Sequence, residues 1–152
     1  MNREKFNEIL DFAVEREREA VHFYQELQEM VQFKEQKSLL KEFENIERSH
    51  IVMIENIRNN VIKNVEAPLP DIENLAISDY LVDVKPSEDM TYQDILIVAM
   101  KREEKAQKLY SDLADKTASS ETRKLFLKLA SEESKHKLYF EKLYDEMVLT
   151  EN

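Results

Sequence analysis

The chain of 152 residues contains no cysteine and no glycine. Without cysteine, these residues can form no disulfide, zinc ribbon, iron–sulfur site or catalytic thiol. Without glycine, they can form no glycine-rich phosphate loop, and they lack the residue that tight β-hairpin turns favour. Both absences favour long helices joined by a few loops, and they predict an all-α protein.

Long apolar runs are missing as well. No run approaches the ~20 residues that a membrane helix needs, and the opening MNREKFNEIL turns polar too early for a signal peptide. We therefore expect a cytoplasmic protein that does not enter a membrane. The formal net charge of −10 should also repel nucleic acid and anionic lipid. An apolar content of 42% is enough for one domain over residues 1–152 with a real core.

Proline is confined to one central segment, at Pro68, Pro70 and Pro86. The charged, periodic segments on either side predict four helices, at about residues 3–32, 36–63, 91–117 and 120–148. The segment at about residues 64–90 is then a long crossover, with a short helix expected at Ile72–Tyr80. Thr91 and Asp94 have the spacing of a capping box, and Ser119 or Ser120 is expected to cap the fourth helix.

Apolar residues recur in each predicted helix at alternating steps of four and three. Each of these stripes is interrupted only near its middle, and only by glutamate or by glutamate plus histidine. The interruptions are Glu17 in the first helix, Glu47 and His50 in the second, Glu103 in the third, and Glu133 and His136 in the fourth. Four stripes of this kind predict a four-helix bundle.

The two halves of the chain repeat each other with an offset of 86 residues. The offset relates Glu17 to Glu103, Tyr24 to Tyr110, Glu47 to Glu133 and His50 to His136. This repeat predicts two copies of one helical hairpin. The glutamates of each hairpin lie equally far from the centre of its predicted loop, at residue 32 or residue 118. We therefore expect them at one level of the bundle.

That level would place four glutamates and two histidines inside an apolar bundle. Buried carboxylates without partners are costly, and repulsion between them favours protonation. Two divalent cations would balance four carboxylate charges, and oxygen with imidazole nitrogen suits iron or manganese, with zinc as a further occupant. Bridging glutamates would hold such ions ~3.5–4 Å apart. The alternative is a buried polar network without metal. The predicted ligands are Glu17, Glu47, His50, Glu103, Glu133 and His136.

One further glutamate and histidine have the Glu-x-x-His spacing but do not lie on an apolar stripe. Glu19 and His22 are three residues apart but lie off the apolar stripe, and the offset replaces them with Lys105 and Lys108. We therefore expect a solvated ion pair at these two positions rather than a metal site.

The motifs E-x-x-A-x-x-x-Y, which begin at Glu17 and Glu103, and the two E-x-x-H motifs resemble the rubrerythrin branch of the ferritin-like di-iron carboxylate superfamily. The resemblance spans both hairpins. It implies a ferritin-like four-helix bundle with a non-haem di-iron centre that reacts with hydrogen peroxide or dioxygen, commonly in a homodimer. Tyr24 and Tyr110 are expected in the core, and a hydrogen bond from each hydroxyl to a ligand carboxylate is the alternative.

The chain departs from that family in two ways. It has no cysteine-ligated rubredoxin module, so its electrons would come from a separate, rubredoxin-like donor protein. Ala106 stands where rubrerythrins have an extra glutamate, and the remaining six ligands resemble those of ferritins and bacterioferritins. A bacterioferritin-type haem site is not expected either, because Arg48 stands after Glu47, where such a site would have methionine.

Three functions stay open from the sequence. The first is reduction of peroxide or dioxygen at a di-iron centre. The second is ferroxidase activity that feeds iron storage or delivery. The fourth predicted helix leaves too few residues for a fifth helix, so the sequence gives no specific sign of a storage cage. The third is a non-catalytic helical bundle that binds another protein.

Overall fold

A computed structural model describes residues 2–63, 77–80, 91–117 and 119–151. These residues form four α-helices and one 3-10 helix, and they include no strand, so the predicted all-α class is confirmed. None of the helices in these ranges is long and apolar enough to cross a membrane. The elements are α1 (Asn2–Met30), α2 (Lys34–Lys63), η1 (Ile77–Tyr80), α3 (Tyr92–Lys116) and α4 (Ser120–Glu151).

The helices form two antiparallel hairpins, α1 with α2 and α3 with α4. The chain divides into two compact units, which are built on these hairpins, and η1 belongs to the second. In the first hairpin, Gln25 contacts Glu44 and Asp11 contacts Arg58, so the residue numbers rise along one helix as they fall along the other. The prediction of one domain over residues 1–152 stays a prediction.

The helical stripes are buried largely as their spacing predicts. The exceptions are only half-buried: Ala20 in α1, Tyr92 and Ala106 in α3, and Met147 in α4. Tyr92 and Met147 lie close to helix ends, where fewer neighbours cover a side chain. The side chain of Val61 lies outside the description. The buried stripe residues include Phe6, Leu10, Leu27, Leu40, Ile54, Ile57, Leu96, Leu113, Phe126, Leu129 and Phe140.

The helices α3 and α4 begin at the caps that the sequence predicts. Asp94 N donates to Thr91 Oγ1 at 3.1 Å, and Thr91 N donates to Asp94 Oδ2 at 3.2 Å, which is the reciprocal pattern of a capping box. Thr122 N donates to Ser119 Oγ at 3.4 Å, so Ser119 rather than Ser120 caps α4. These bonds satisfy amide groups that the first turn of a helix leaves without helical partners.

The predicted crossover is described only over its residues 77–80. These form the 3-10 helix η1. They are the only described residues of the range Ile72–Tyr80, where the sequence predicts a short helix. The rest of that helix and all three prolines lie outside the described residues. Tyr80 is buried against α3, and Lys105 Nζ donates to the carbonyl oxygen of Asp79 at 3.0 Å.

Candidate metal centre

The first hairpin brings three of the predicted ligands together. Glu17 projects from α1, and Glu47 and His50 project from one face of α2, one turn apart. Glu17 Oε1 lies 3.4 Å from His50 Nδ1, and Glu47 Oε1 lies 3.8 Å from the same nitrogen. One ligand atom from each residue lies within 4.8 Å of the other two. We call these three residues the first cluster.

The second hairpin repeats the arrangement with Glu103 from α3 and with Glu133 and His136 from α4. Glu103 Oε2 lies 3.7 Å from His136 Nδ1. Here too, one ligand atom from each residue lies within 4.8 Å of the others. We call these three residues the second cluster. The six residues of the two clusters are each at most 3% exposed.

The donor atoms of each cluster fit a divalent metal ion. Each cluster offers two carboxylates and one imidazole, which is the mixture of oxygen and nitrogen that iron, manganese and zinc accept. Two carboxylates buried this close together would repel each other and would lose most of their hydration. A divalent cation balances both charges at once. The burial and the spacing of Glu17, Glu47 and His50 are therefore well explained by metal binding.

Aromatic packing holds each cluster on its loop side. Tyr24 meets Phe43 of α2 edge to face, with ring centres 5.7 Å apart. Tyr110 stacks on Phe126 of α4, with ring centres 6.5 Å apart. Both tyrosines are 1% exposed, so they are core residues as expected. The hydrogen bond from their hydroxyls to a ligand carboxylate stays a prediction.

The pair with matching spacing in α1 takes no part in either cluster. His22 is exposed, and Glu19 is partly exposed. Arg16 Nη2 donates to Glu19 Oε1 at 2.8 Å, and the Arg16 guanidinium also lies 4.8 Å from the centre of the Phe12 ring. Glu19 therefore belongs to a surface ion pair with Arg16.

Glu44 is a buried carboxylate that the sequence interpretation missed. It is 1% exposed, and it accepts hydrogen bonds from Gln28 at 2.9 Å and Gln25 at 3.3 Å, both on α1. From its own helix, Lys41 donates at 3.3 Å and Arg48 at 3.0 Å. Burial acts to raise the pKa of Glu44, but the hydrogen bonds from Gln28, Arg48 and Lys41 outweigh it and lower that pKa to about 2.

The sequence carried only a weak signal for Glu44. It lies beside the α2 stripe rather than on it, and the 86-residue offset replaces it with Ala130. The repeat therefore gives no reason to single it out. The one hint was the pair Gln25 and Gln28, two long amide side chains one turn apart on the facing helix.

Comparison with known proteins supports the assignment of the second hairpin. The family model described as Rubrerythrin matches residues 94–152, which carry Glu103, Glu133 and His136. The resemblance to rubrerythrins is confirmed over these residues. The rubrerythrin match does not extend to the first hairpin, whose cluster is related to the second by the 86-residue repeat.

A solved structure shares the fold over a larger part of the chain. It is a hypothetical protein from Pyrococcus furiosus, with a TM-score of 0.69 and 23% sequence identity. The similarity covers 92% of this chain and 88% of that one. A comparison with curated proteins gives no match. At this identity the structural likeness establishes a common fold, so the function must be argued from the clusters.

Proposed function

We propose that the two clusters together form one di-iron centre, which reduces hydrogen peroxide or dioxygen with electrons from a separate donor protein. The observation that carries this proposal is the duplicated ligand set: a glutamate and a Glu-x-x-His pair, buried in each hairpin. Ferritin-like di-iron bundles hold their two ions with two such sets, distributed over four helices. The rubrerythrin match over the second hairpin points to the same chemistry.

In this proposal the six ligands have three kinds of role. Glu17 and Glu103 would serve as terminal or flexible ligands, Glu47 and Glu133 would serve as bridging ligands, and His50 and His136 would each bind one ion as a neutral imidazole. Bound iron would supply the redox chemistry for reduction of the oxidant to water. The carboxylates balance the charge of the ions, and the aromatic and aliphatic neighbours keep bulk water away from them. Manganese or zinc could replace iron in the same ligand set.

Each cluster has a small residue one helical turn away on the same stripe. Ala20 and Ala106 lie one turn beyond Glu17 and Glu103, and both are partly exposed although their neighbours on the stripe are buried. A methyl side chain leaves more room at such a position than a larger side chain does. This favours a substrate of the size of hydrogen peroxide or dioxygen over a bulky one.

The remaining parts of the proposal concern partners. We propose a homodimer in the cytoplasm that receives electrons from a rubredoxin-like protein, and that binds neither nucleic acid nor membrane. The net charge of −10 supports the last two points, because it would repel polyanions. Measurement of the native mass in solution tests the dimer.

Ferroxidase activity is the second candidate, and Ala106 is the observation that favours it. Without a seventh carboxylate at that position, the ligand set resembles that of ferritins rather than that of rubrerythrins. Iron storage would need a large closed assembly, so a native mass of many subunits would favour this candidate over the peroxidase. The third candidate, a non-catalytic interaction bundle, predicts purified protein with almost no iron, manganese or zinc.

The deciding experiment combines metal analysis with oxidation of iron-loaded protein. Anaerobic protein is loaded with ferrous iron and mixed with one equivalent of peroxide, and the optical change is followed. We expect two ions per chain and fast, stoichiometric oxidation. The Glu47→Ala, Glu133→Ala double variant should lose both. The matched control is Glu42→Ala with Glu121→Ala, which removes two exposed glutamates from the same helices. Slow oxidation in the wild type would count against the peroxidase, and rapid uptake of oxygen instead would favour the ferroxidase.

A further inference from the structure

The first hairpin is cross-linked by polar contacts on both sides of its cluster. Toward the loop, Glu44 of α2 accepts hydrogen bonds from Gln25 and Gln28 of α1 at 3.3 and 2.9 Å. Toward the opposite end, Arg58 Nη2 of α2 donates to Asp11 Oδ1 of α1 at 2.5 Å. We call these two contacts the Glu44 clamp and the Asp11 clamp. They hold the spacing between the helices that carry the first cluster.

The Glu44 clamp is the stronger of the two because its carboxylate is buried. Lys41 and Arg48 bind Glu44 from the same helix and keep the carboxylate charged, so its oxygens stay available to the α1 amides. Hydrogen bonds to a charged group are stronger than those between neutral groups. Gln28 Nε2 also donates to the Tyr24 carbonyl at 3.1 Å, which ties the clamp to the backbone of α1.

The second hairpin has neither clamp at the equivalent positions. The offset of 86 residues replaces Gln25, Gln28 and Glu44 with Ser111, Ala114 and Ala130, and it replaces Asp11 and Arg58 with Ile97 and Tyr144. Ala114 and Ala130 are buried methyl groups that cannot hydrogen-bond. Lys137 does reach Glu104 across this hairpin, but at 3.9 Å. The carboxylates of Glu104 and Asp11 are both exposed, and the longer distance makes the Lys137 pair weaker than the 2.5 Å contact of the Asp11 clamp.

This difference bears on metal binding because the two clusters are otherwise repeats. A cation that binds ligands already held in place incurs a smaller entropic penalty than one that must first draw its ligands together. The helices of the first cluster are held by the two clamps, and the equivalent positions of the second hairpin carry residues that cannot form the same contacts. The buried charge of Glu44 also lies one helical turn from Glu47, whereas Ala130 brings no charge near Glu133.

We propose that the first cluster binds the first divalent cation and that the second cluster fills afterwards, with the Glu44 clamp as the device that sets this order. Glu44, Gln25 and Gln28 are positioning residues, since they act through the helices that carry Glu17, Glu47 and His50. The inference rests on the proposed function, because it requires the clusters to bind metal. It adds an order of loading that the duplicated ligand set by itself does not give.

The experiment follows the histidines during a titration with zinc, which is diamagnetic and needs no redox partner. The chain has three histidines, so protein labelled at histidine gives three sets of imidazole signals. Substitution of each histidine in turn by glutamine assigns them. His22 is exposed and outside both clusters, and it serves as the internal reference. At one zinc ion per chain, we expect the His50 signals to have moved to their bound positions while the His136 signals remain largely at their free positions. This corresponds to roughly tenfold tighter binding at the first cluster.

Two variants test the clamp itself. Glu44→Leu replaces the buried carboxylate with an apolar side chain of similar size. The double variant Gln25→Ala, Gln28→Ala leaves Glu44 with its own-helix cations and removes only the bonds to α1, and it serves if Glu44→Leu does not fold. Both should bind two zinc ions and should bring the His50 and His136 transitions together. The matched control is Glu42→Leu, which removes an exposed glutamate two residues away on α2 and should keep the wild-type order.

The outcomes separate this inference from the proposed function. Absence of zinc binding in the wild type would overturn both. Binding of two ions with simultaneous transitions, or with His136 first, would overturn the order of loading and would leave the dimetal centre standing. Persistence of the wild-type order in every folded clamp variant would show that the clamp does not set it.

Discussion

Tyr80 Oη donates a hydrogen bond of 2.8 Å to Asp112 Oδ2, and this bond fastens the 3-10 helix η1 to α3. Lys108 Nζ lies 5.6 Å from the centre of the same ring, within the range of a cation–π contact. Burial, and then the hydrogen bond to Asp112, raise the pKa of Tyr80 above its ordinary value of about 10. The hydroxyl therefore keeps its proton and remains a donor at neutral pH.

Tyr80→Phe should destabilise the protein by about 1 kcal/mol, since it keeps the buried ring but removes one hydrogen bond. The raised pKa also predicts how the stabilisation by Tyr80 changes with pH. The folded state holds the proton more tightly than the unfolded state, so this stabilisation is complete below pH 10 and falls as the pH rises above it. Urea unfolding at pH 7 and pH 10.5 measures both effects. Asp112→Asn should behave similarly, and Asp115→Asn, an exposed position on α3, is the control. An equal loss in the control would argue against the Tyr80 contact as the cause.

The free energy of unfolding at acidic pH should depend on Glu44. Its pKa of about 2 in the folded state lies below the ordinary 4.5, so its stabilisation is present above pH 4.5 and is lost as the pH falls toward 2. The contribution is on the order of 1–3 kcal/mol, because Lys41 and Arg48 are half exposed and screened by solvent. We expect Glu44→Gln to flatten the decline in unfolding free energy between pH 5 and pH 2.5. Acid titration of Glu42→Gln should follow the wild type, and a flattened curve there would contradict the assignment.

Removal of metal should lower the melting temperature, and its return should restore it. A ligand that binds only the folded state stabilises it by about 2.7 kcal/mol at a hundred times its dissociation constant. In chelated protein, Glu47→Leu should raise the melting temperature, because it removes a buried carboxylate that repels its neighbour Glu17 when no metal balances them. With metal present, the same variant should melt below the wild type. Calorimetry with and without chelator measures this crossover, and the absence of any response of the wild type to metal would refute it.

The core of the second hairpin offers a matched pair of neighbouring residues. Phe126 is fully buried against Tyr110, whereas Leu127 is 45% exposed. Phe126→Ala should cost about 3–5 kcal/mol through lost burial and a residual cavity. Leu127→Ala should change stability by no more than about 0.5 kcal/mol. Chemical denaturation of both variants checks the register of α4, since a shift of one residue would reverse the two effects.

Much of the fold and of the ligand set follows from local rules in the sequence. The spacing of four and three residues placed Glu17, Glu47 and His50 on buried faces, because a helix returns to the same side every 3.6 residues. The 86-residue repeat then related these positions to the second cluster. The starts of α3 and α4 are predictable as well, because a helix cap joins residues only three positions apart in the sequence.

Other features depended on contacts that spacing does not encode. Glu44 is buried because amides from another helix reach it, and its own position on α2 predicts a half-exposed side chain. Ala20 and Ala106 follow the stripe but are partly exposed, whereas Ala13 and Ala99 on the same stripes are buried, so exposure here depends on which neighbours cover each position. Of the helix expected at Ile72–Tyr80, the described residues 77–80 form a 3-10 helix, and the docking of Tyr80 on α3 depends on Asp112, 32 residues further along the chain.

The reciprocal cap at Thr91 and Asp94 has a consequence for how the chain can vary. The start of α3 is fixed by four consecutive residues and needs no help from the chain before them. Glu103 follows twelve residues after Thr91, about 18 Å along the helix axis. Insertions or deletions ahead of Thr91 therefore leave Glu103 at the same depth in its helix. The segment between the hairpins is free to change in length, and to acquire contacts of its own, without altering the ligand spacing in the second cluster.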